Sequence, residues 1–199
     1  FCAGDDIKEF NEWRGDESYW QVRLYQETVQ LIEDLTPVTI AAVDGVCTGG
    51  GLELTLVCDF VVATDRSRWG MPEIDWDITP GWGGLSRIPK FAGRRKAKEW
   101  NLIGMMFTER YDLVNRVVAP EELDDQVAQL THIMLQKHPM TVRRTKFALN
   151  KSADLPVQGA LAFEVPIMPY ARGSSGLKDF KDADSRKKRR GVSKDFWSD

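Results

Sequence analysis

The sequence lacks the features that mark membrane, disulfide-stabilised and nucleic-acid-binding proteins. No apolar run among its 199 residues reaches the roughly 20 residues that a transmembrane helix needs, so we predict no membrane span. Its cysteines, Cys2, Cys47 and Cys58, are odd in number and show no CxxC spacing, which favours reduced thiols and a cytoplasmic location. A net charge of −3 gives no reason to expect nucleic acid as a partner. The length and composition suit an ordinary globular chain with a hydrophobic core.

Histidine is also scarce, and the familiar motifs of nucleophilic and metal-dependent hydrolases are missing. The two histidines, His132 and His138, lie off a predicted apolar stripe and directly before a proline, where surface or capping roles are favoured. There is no GxSxG, HExxH or GxxxxGK[ST] motif, so we predict no bound metal and no phosphate loop. Any catalytic chemistry is therefore expected to come from carboxylates.

The spacing of apolar residues predicts an α/β fold. Apolar residues at helical intervals over 17–35 predict a helix that Pro37 stops. PVTIAAV at 37–43 and DFVVAT at 59–64 predict short buried strands, with a short buried helix in LELTLVC at 52–58 between them. Strand, glycine turn, helix and strand form a βαβ unit, which favours a parallel sheet covered by helices. Beyond Pro120 the pattern is mostly helical, with further helices expected at 140–150, 157–170 and 176–190.

Three consecutive glycines, 49–51, separate two strongly apolar runs, and a glutamate follows them. If a helix begins at Gly50 or Gly51, its first N–H groups have no partner within the helix and point out of its N-terminus. With the helix dipole, these groups suit a developing negative oxygen, and glycine lets a ligand carbonyl approach closely. Glu53 would lie in the first turn, near the same point. The alternative is a sharp strand-to-helix turn in which Glu53 only complements the dipole.

A second carboxylate, Glu73, follows the strand at 59–64 and stands in an otherwise apolar loop, MPEI. Two carboxylates brought into one apolar pocket can share acid–base work: one is ionised and activates water, and the other is protonated and donates. The alternative is that Glu73 caps backbone N–H groups of its loop. The pattern indicates carboxylate chemistry, with both alternatives open.

Five segments in order resemble the crotonase, or enoyl-CoA hydratase/isomerase, superfamily. They are FCAGDDIKEF at 1–10, AAVDGVCTGGGLEL at 41–54, CDFVVAT at 58–64, MPEIDWDITPGWGG at 71–84 and LVNRVVAPEEL at 113–123. The resemblance implies an α/β fold built as a crotonase-like spiral of ββα units, with the spiral core at 1–120 and a helical oligomerisation region at 121–199. It also implies assembly as a homotrimer or as a hexamer of two trimers.

The same resemblance implies an enoyl-CoA hydratase that acts on an acyl-CoA thioester. Its oxyanion hole would use the backbone N–H groups of Asp5 and Gly50, which would stabilise the enolate form of the thioester. Glu53 and Glu73 would hold one water for syn addition across the α,β-double bond, with Glu53 helping to activate the water and Glu73 supplying the α-proton. Because members that only shift double bonds often keep just the second acid, the presence of both favours hydration.

Further residues are implied only by their place in the family's segments. CoA would enter as part of the substrate, with no covalently bound cofactor, and Lys8 would contact a phosphate. The basic run RKKRR at 186–190 either meets the CoA 3′-phosphate or forms a solvated helix face. The CoA-binding residues would be Cys2, Ala3, Asp6, Ile7 and Lys8. The acyl pocket would be lined by Trp76, Pro80, Trp82 and Gly83.

The chain departs from the family pattern at several places. Asp5 replaces a small residue, so its charge needs a partner or an outward rotamer. Trp69, Trp76 and Trp82 stand where smaller residues are usual, and they either shape the pocket for a short, flat or bulky acyl group or pack in the core. The strands and helix that precede FCAG in the family are absent, so we expect a segment before Phe1, which leaves an organellar location open.

Two other functions stay open at this point. The same site can serve double-bond isomerisation, C–C cleavage or thioester hydrolysis, because the superfamily shares the oxyanion hole and varies the acids. A non-catalytic CoA-binding subunit is the alternative of a different class.

Overall fold

Two small sheets and the helices between their strands organise the chain. This computed structural model describes residues 1–108 and 111–174. The strands are β1 (Ile40–Val43), β2 (Val46–Thr48), β3 (Phe60–Thr64), β4 (Arg68–Gly70), β5 (Met106–Phe107) and β6 (Arg116–Val118). The helices are α1 (Ile7–Phe10), α2 (Glu17–Glu33), α3 (Gly50–Thr55), α4 (Gly84–Ile103), α5 (Leu123–Leu135), α6 (Pro139–Ser152) and α7 (Val157–Ser174), with 3-10 turns at Pro72–Trp76, Tyr111–Leu113 and Pro120–Glu122.

The order of the strands describes a spiral of ββα turns. The first sheet has the order β1-β3-β6 and is parallel throughout, with Ile40 opposite Phe60 and Val62 opposite Arg116. The second sheet has the order β2-β4-β5, in which β2 and β4 are parallel and β5 is antiparallel to β4. Each turn, β1-β2-α3 and then β3-β4-α4, therefore adds one strand to each sheet before its helix. The expected α/β fold with a spiral of ββα units is confirmed.

Most predicted elements are confirmed, with bounds that differ by a few residues. The helix expected over 17–35 is α2, and α3 begins at Gly50, one of the two starting points considered. The strand expected from residue 37 begins only at Ile40. The helices expected at 140–150 and 157–170 are α6 and α7, whereas the helix and the RKKRR run expected after residue 175 lie outside the described residues.

The core lies between the two sheets and helices α3 and α4. Trp69 is fully buried and donates from Nε1 to Ser67, which satisfies its polar atom inside the core. Trp100 is 1% exposed, and its ring stacks on Phe107 with centroids 4.1 Å apart. Such stacked aromatic pairs add stability beyond the area they bury. Trp69 is thus a core residue, the second of the two alternatives considered for it.

The chain divides into two compact units. The first contains residues 1–35 and 39–127, and it holds both sheets and every predicted site residue. The second contains residues 36–38 and 128–174 of the described chain, where α6 packs on α7 and Lys146 Nζ donates to the Pro37 carbonyl over 3.0 Å. The sequence-based division at residue 120 stays a prediction about domain organisation.

In the part of the chain that the structure describes, no helix combines the length and the apolar character needed to cross a membrane.

Candidate active site

The glycine turn joins β2 to α3 and forms the centre of the site. Gly49 has a φ of 54°, a left-handed backbone conformation that side chains rarely tolerate, and its N–H donates to the Gly70 carbonyl over 3.0 Å. A Cβ atom on Gly51 would overlap the backbone of Cys2, lying 2.8 Å from its carbonyl carbon. These two glycines therefore let the N-terminal segment run directly against the start of α3.

The N-terminal segment is fixed beside this turn by backbone pairing. The Cys2 N–H donates to the Val46 carbonyl over 3.0 Å, and the Thr48 N–H donates to the Cys2 carbonyl over 3.1 Å. The Thr48 hydroxyl also donates to the Ala3 carbonyl over 3.0 Å. The segment thus continues the second sheet as one more parallel bridge, which carries residue 5 to the N-terminus of α3.

Two backbone N–H groups without acceptors meet at this point. A Cβ atom on Gly4 would lie 3.3 Å from the Gly50 nitrogen, so the peptide that joins Gly4 to Asp5 adjoins the first residue of α3. Among the described residues, neither the Asp5 N–H nor the Gly50 N–H has a hydrogen-bond acceptor. Paired free donors of this kind can stabilise a negative oxygen.

Glu53 lies in the first turn of α3 and is 1% exposed. Its Oε1 accepts hydrogen bonds from the N–H groups of Trp82 at 3.0 Å and Gly84 at 2.6 Å. Burial raises the pKa of Glu53 to about 7, and the charges of Glu73 and Asp5 act in the same direction, whereas the two N–H groups lower it. A buried carboxyl with a pKa near neutrality can exchange a proton at working pH.

Glu73 approaches the same turn from the 3-10 turn that follows β4. It is 8% exposed, and its Oε1 lies 3.1 Å from the point where a Gly49 side chain would begin. Its Oε2 is buried and has no hydrogen-bond partner among the described residues. Burial raises the pKa of Glu73, its own backbone N–H lowers it, and the Asp5 charge raises it further. A buried carboxylate oxygen without a partner is suited to hold water or substrate.

Asp5 and Trp82 form the wall beside the free N–H groups. Burial raises the pKa of Asp5, and the indole N–H of Trp82 lowers it without reaching hydrogen-bond geometry among the described residues. The Trp82 ring covers Gly50, with Cε2 lying 3.1 Å from the position of a Cβ atom on that glycine. The Tyr25 ring packs on Trp82 with centroids 5.0 Å apart. Among the described residues, the Trp82 indole N–H thus influences Asp5 without a hydrogen bond to it, and the partner or outward rotamer expected for the Asp5 charge stays a prediction.

The remaining predicted residues lie around this centre with different exposure. Asp6 caps α1 by accepting from the Lys8 N–H over 3.0 Å, and the Lys8 side chain is exposed. Ile7 is 39% exposed and Trp76 is 56% exposed, whereas Pro80 and Gly83 are partly buried. No observation tests the CoA-binding and acyl-pocket assignments, which stay predictions.

Sequence reasoning missed the residues that support the site from α2 and α4. Tyr25 and Arg87 both contact the loop that carries Trp82, yet neither belongs to a recognisable motif. Tyr25 lies on the helix predicted over 17–35, a position that many surface residues share, and Arg87 lies outside the helices predicted from the sequence. Within residues 1–108 and 111–174, no group of three His, Cys, Asp or Glu side chains is arranged to hold a metal ion.

Comparison with known proteins gives matches over nearly the whole chain. A family model described as enoyl-CoA hydratase/isomerase matches residues 1–183. The chain is 37% identical to YngF of Bacillus subtilis, whose own assignment as an enoyl-CoA hydratase/isomerase is provisional, over 98% of this chain and 76% of that protein. It is 36% identical to a crotonyl-CoA hydratase of Syntrophomonas wolfei, over 82% of this chain and 65% of that protein.

Solved structures give the same picture. A crystal structure of an enoyl-CoA hydratase subunit I from Geobacillus kaustophilus superposes with a TM-score of 0.86 at 31% identity, covering 94% of this chain and 74% of that one. The chain spans about two thirds to three quarters of the length of the relatives named here.

Proposed function

This chain belongs to the enoyl-CoA hydratase/isomerase family, and from that premise we propose that it hydrates the α,β-double bond of an acyl-CoA thioester. The observation that carries the proposal is that two buried carboxyl groups, Glu53 and Glu73, adjoin one glycine turn together with two N–H groups that have no acceptor among the described residues. The curated relative from Syntrophomonas wolfei is named a crotonyl-CoA hydratase, which supports a short unsaturated acyl group as the first substrate to test.

The thioester oxygen binds between the N–H groups of Asp5 and Gly50 in this proposal. Negative charge develops on that oxygen when the thioester becomes an enolate, and the two donors and the N-terminus of α3 stabilise it. Donors of this type typically contribute about 3 kcal/mol of transition-state stabilisation. Because the Trp82 ring covers Gly50, it would exclude water from one side of the oxygen.

The two glutamates share the proton transfers of the addition. Ionised Glu53 accepts a proton from water as the water oxygen bonds to the β-carbon, and protonated Glu73 donates a proton to the α-carbon. The products are a 3-hydroxyacyl thioester, protonated Glu53 and ionised Glu73, and proton exchange through a new water restores the pair. Both pKa values are raised, which allows the pair to retain one proton near neutral pH.

We further propose that CoA is carried in by the substrate and that no cofactor is bound covalently. The exposed Lys8 side chain is available to a phosphate of CoA, beside Cys2, Ala3, Asp6 and Ile7. Trp82 and Gly83, with Trp76 and Pro80, form the acyl side of the site. We also propose that the protein is cytoplasmic and assembles as a homotrimer or hexamer. Neither a membrane nor a nucleic acid is a proposed partner.

The first test measures hydration of crotonyl-CoA by wild type, Glu53→Gln and Glu73→Gln. We expect wild type to form 3-hydroxybutyryl-CoA and each variant to lose about 10²–10⁴-fold in kcat, because each loses a general acid–base group. Glu27→Gln, a substitution of an exposed glutamate on α2, is the matched control and should keep wild-type activity. Near-normal rates in both active-site variants would contradict the proposal.

A second candidate is double-bond isomerisation, which the family's own description includes. A single carboxyl group suffices to move a proton between two carbons, and Glu73 offers one whose Oε2 has no hydrogen-bond partner among the described residues. Mass spectrometry separates the two reactions, because hydration adds one water to the substrate and isomerisation leaves its mass unchanged.

A further inference from the structure

The loop of residues 77–83 and the first residue of α4, Gly84, supply both hydrogen bonds that Glu53 accepts. The glycine-rich sequence of this stretch does not by itself fix its backbone. The donors are the N–H groups of Trp82 and Gly84, at 3.0 and 2.6 Å from Glu53 Oε1. Glycine at positions 81, 83 and 84 gives the loop many accessible conformations. Contacts from outside the loop must therefore hold the two N–H groups where Glu53 can use them.

Helix α2 contacts the loop along one face. Gln26 Nε2 donates to the Gly81 carbonyl over 3.1 Å, and a Val22 methyl group lies 3.5 Å from where a Gly81 side chain would begin. The Tyr25 ring packs on Trp82 at 5.0 Å between centroids. Residues three and four positions apart share one helix face, so these contacts form a continuous seat for the loop.

Arg87, in the first turn of α4, ties the end of the loop to the same helix. Its Nη2 donates to Glu33 Oε2 over 2.7 Å and to Gln30 Oε1 over 3.1 Å, and its Nη1 lies 3.5 Å from the Trp82 carbonyl oxygen. The side chains of Arg87 and Glu33 are 17% and 27% exposed, against 57% and 59% for the Arg23–Glu27 pair on α2. A shielded, charge-assisted pair holds its geometry more firmly than an exposed one.

We propose that Arg87 and Glu33 are positioning residues for Glu53, because their ion pair ties the start of α4 to α2 and thereby holds the Trp82 and Gly84 N–H groups against the Glu53 carboxylate. The effect passes through the loop backbone rather than through contact with the reacting atoms. The turnover measurement of this inference rests on the proposed function, whereas the measurement of the Glu53 pKa does not.

The arrangement predicts the direction in which the pKa of Glu53 changes when the pair is broken. The two N–H groups lower this pKa against burial and against the charges of Glu73 and Asp5, so a loosened loop raises it above about 7. Direct electrostatics has the opposite sign for Glu33→Gln, since removing a nearby negative charge lowers the pKa of another acid. A purely structural role of the pair would lower stability and leave this pKa unchanged. Glu33→Gln therefore distinguishes the three cases.

The experiment is a ¹³C NMR titration of glutamate side chains in wild type, Glu33→Gln and Arg87→Gln. The Glu53 signal is the one that Glu53→Gln removes. We expect the Glu53 midpoint to rise by about half a unit or more in both variants, which corresponds to weakened amide hydrogen bonds. Arg23→Gln, on the same helix, is the matched control and should leave the midpoint unchanged. An unchanged or lowered midpoint in Glu33→Gln overturns the proposal, even if Arg87→Gln fails to fold.

Turnover gives a second readout. In crotonyl-CoA hydration we expect Glu33→Gln and Arg87→Gln to lower kcat by about tenfold and to change KM by less than about threefold, because the groups that bind substrate remain. Arg87→Lys should restore only part of kcat, since an ammonium lacks the fork that reaches Glu33, Gln30 and the loop together. Absence of hydration by wild type would contradict the proposed function, and the titration would still decide the positioning role.

Discussion

Glu53 combines two properties that oppose each other in ordinary globular proteins: it is ionisable, and it is 1% exposed. A buried carboxyl group destabilises the fold when it ionises, unless hydrogen bonds compensate. The Trp82 and Gly84 N–H groups compensate only in part, because the pKa of Glu53 still rises to about 7. The ionised form of Glu53 therefore lowers the stability of the fold, a cost that is consistent with the proposed role in proton transfer.

This conflict gives a prediction for stability as a function of pH. The pKa of Glu53 in the folded chain lies above the ordinary value of glutamic acid. The stability that protonated Glu53 confers is therefore fully present below that ordinary value and is lost as pH rises through about 7. The resulting loss is roughly 3 kcal/mol at alkaline pH. Replacing Glu53 by glutamine removes this loss, although the amide group needs partners of its own. We expect Glu53→Gln to unfold at higher urea concentration than wild type at pH 8.5, by about 1–3 kcal/mol in free energy.

The difference should shrink toward zero at pH 4.5, where wild-type Glu53 is protonated. If the stability difference between Glu53→Gln and wild type is the same at pH 4.5 and pH 8.5, ionisation of this carboxyl group does not destabilise the folded chain.

The sequence alone predicted which residues meet at the turn but not how they are held. Glu53 and the glycines were identified from their place between two apolar runs, and Glu73 from its position in an apolar loop. The hydrogen bonds from Trp82 and Gly84 to Glu53 span about thirty residues of sequence, and no local pattern specifies them. The packing of Trp82 over Gly50 and against Tyr25 was likewise beyond reach, because it depends on the path of the loop in three dimensions.

Among the elements, the turn between β2 and α3 was the most predictable and the short strands were the least. Three glycines followed by an apolar run indicated a helix start, and α3 begins at Gly50. Strands β2, β4 and β5 have only two or three residues each, too few for an alternating pattern to be recognised. Their pairing is set by the spiral and not by local preference.

The close approach at this turn predicts the effect of one added methyl group. A Cβ atom on Gly51 would overlap the backbone of Cys2, which cannot rotate away as a side chain would. We expect Gly51→Ala to displace the N-terminal segment, to destabilise the chain by about 1–3 kcal/mol in urea unfolding, and to lower hydration together with stability.

Gly159→Ala is the matched control for that substitution. Gly159 lies in α7, where the nearest neighbour of an added Cβ atom is 3.7 Å away, at ordinary contact distance. Alanine should therefore stabilise the helix by up to about 1 kcal/mol. If the two substitutions change stability in the same direction, the packing argument at Gly51 is wrong.

At the scale of the whole molecule, the spiral explains why short motifs identify the fold. The FCAG segment, the glycine turn and the strands β3 and β4 contact one another across successive turns, so a few segments specify the entire core.

The sequence motifs do not indicate which surface of the chain would mediate assembly. Several large apolar side chains of α2 are exposed, with Tyr19 at 59%, Trp20 at 60% and Leu24 at 54%. Apolar surface of this kind commonly marks an interface.

The proposed assembly can be measured directly. We expect the chain to sediment as a trimer or hexamer in analytical ultracentrifugation, and Leu24→Glu to shift the distribution toward smaller species, because a charge would have to be buried in the interface. Lys98→Glu, at an exposed position of α4, should leave the distribution unchanged. A monomeric wild type at micromolar concentration would rule out this part of the proposal.

Glu53 is held by main-chain N–H groups of residues 82 and 84, so the hydrogen bonds do not depend directly on the chemical identity of the side chain at position 82. Residue 82 contributes its peptide N–H to the carboxylate and its indole to the wall over Gly50, two functions that sit on different parts of the same residue. In the proposed reaction, exchanging the indole for another aromatic ring that still packs on Tyr25 would alter which acyl groups fit and would keep the main-chain hydrogen bond to Glu53. If the proposed function holds, position 82 is the natural starting point for engineering a new acyl specificity, with the packing on Tyr25 retained.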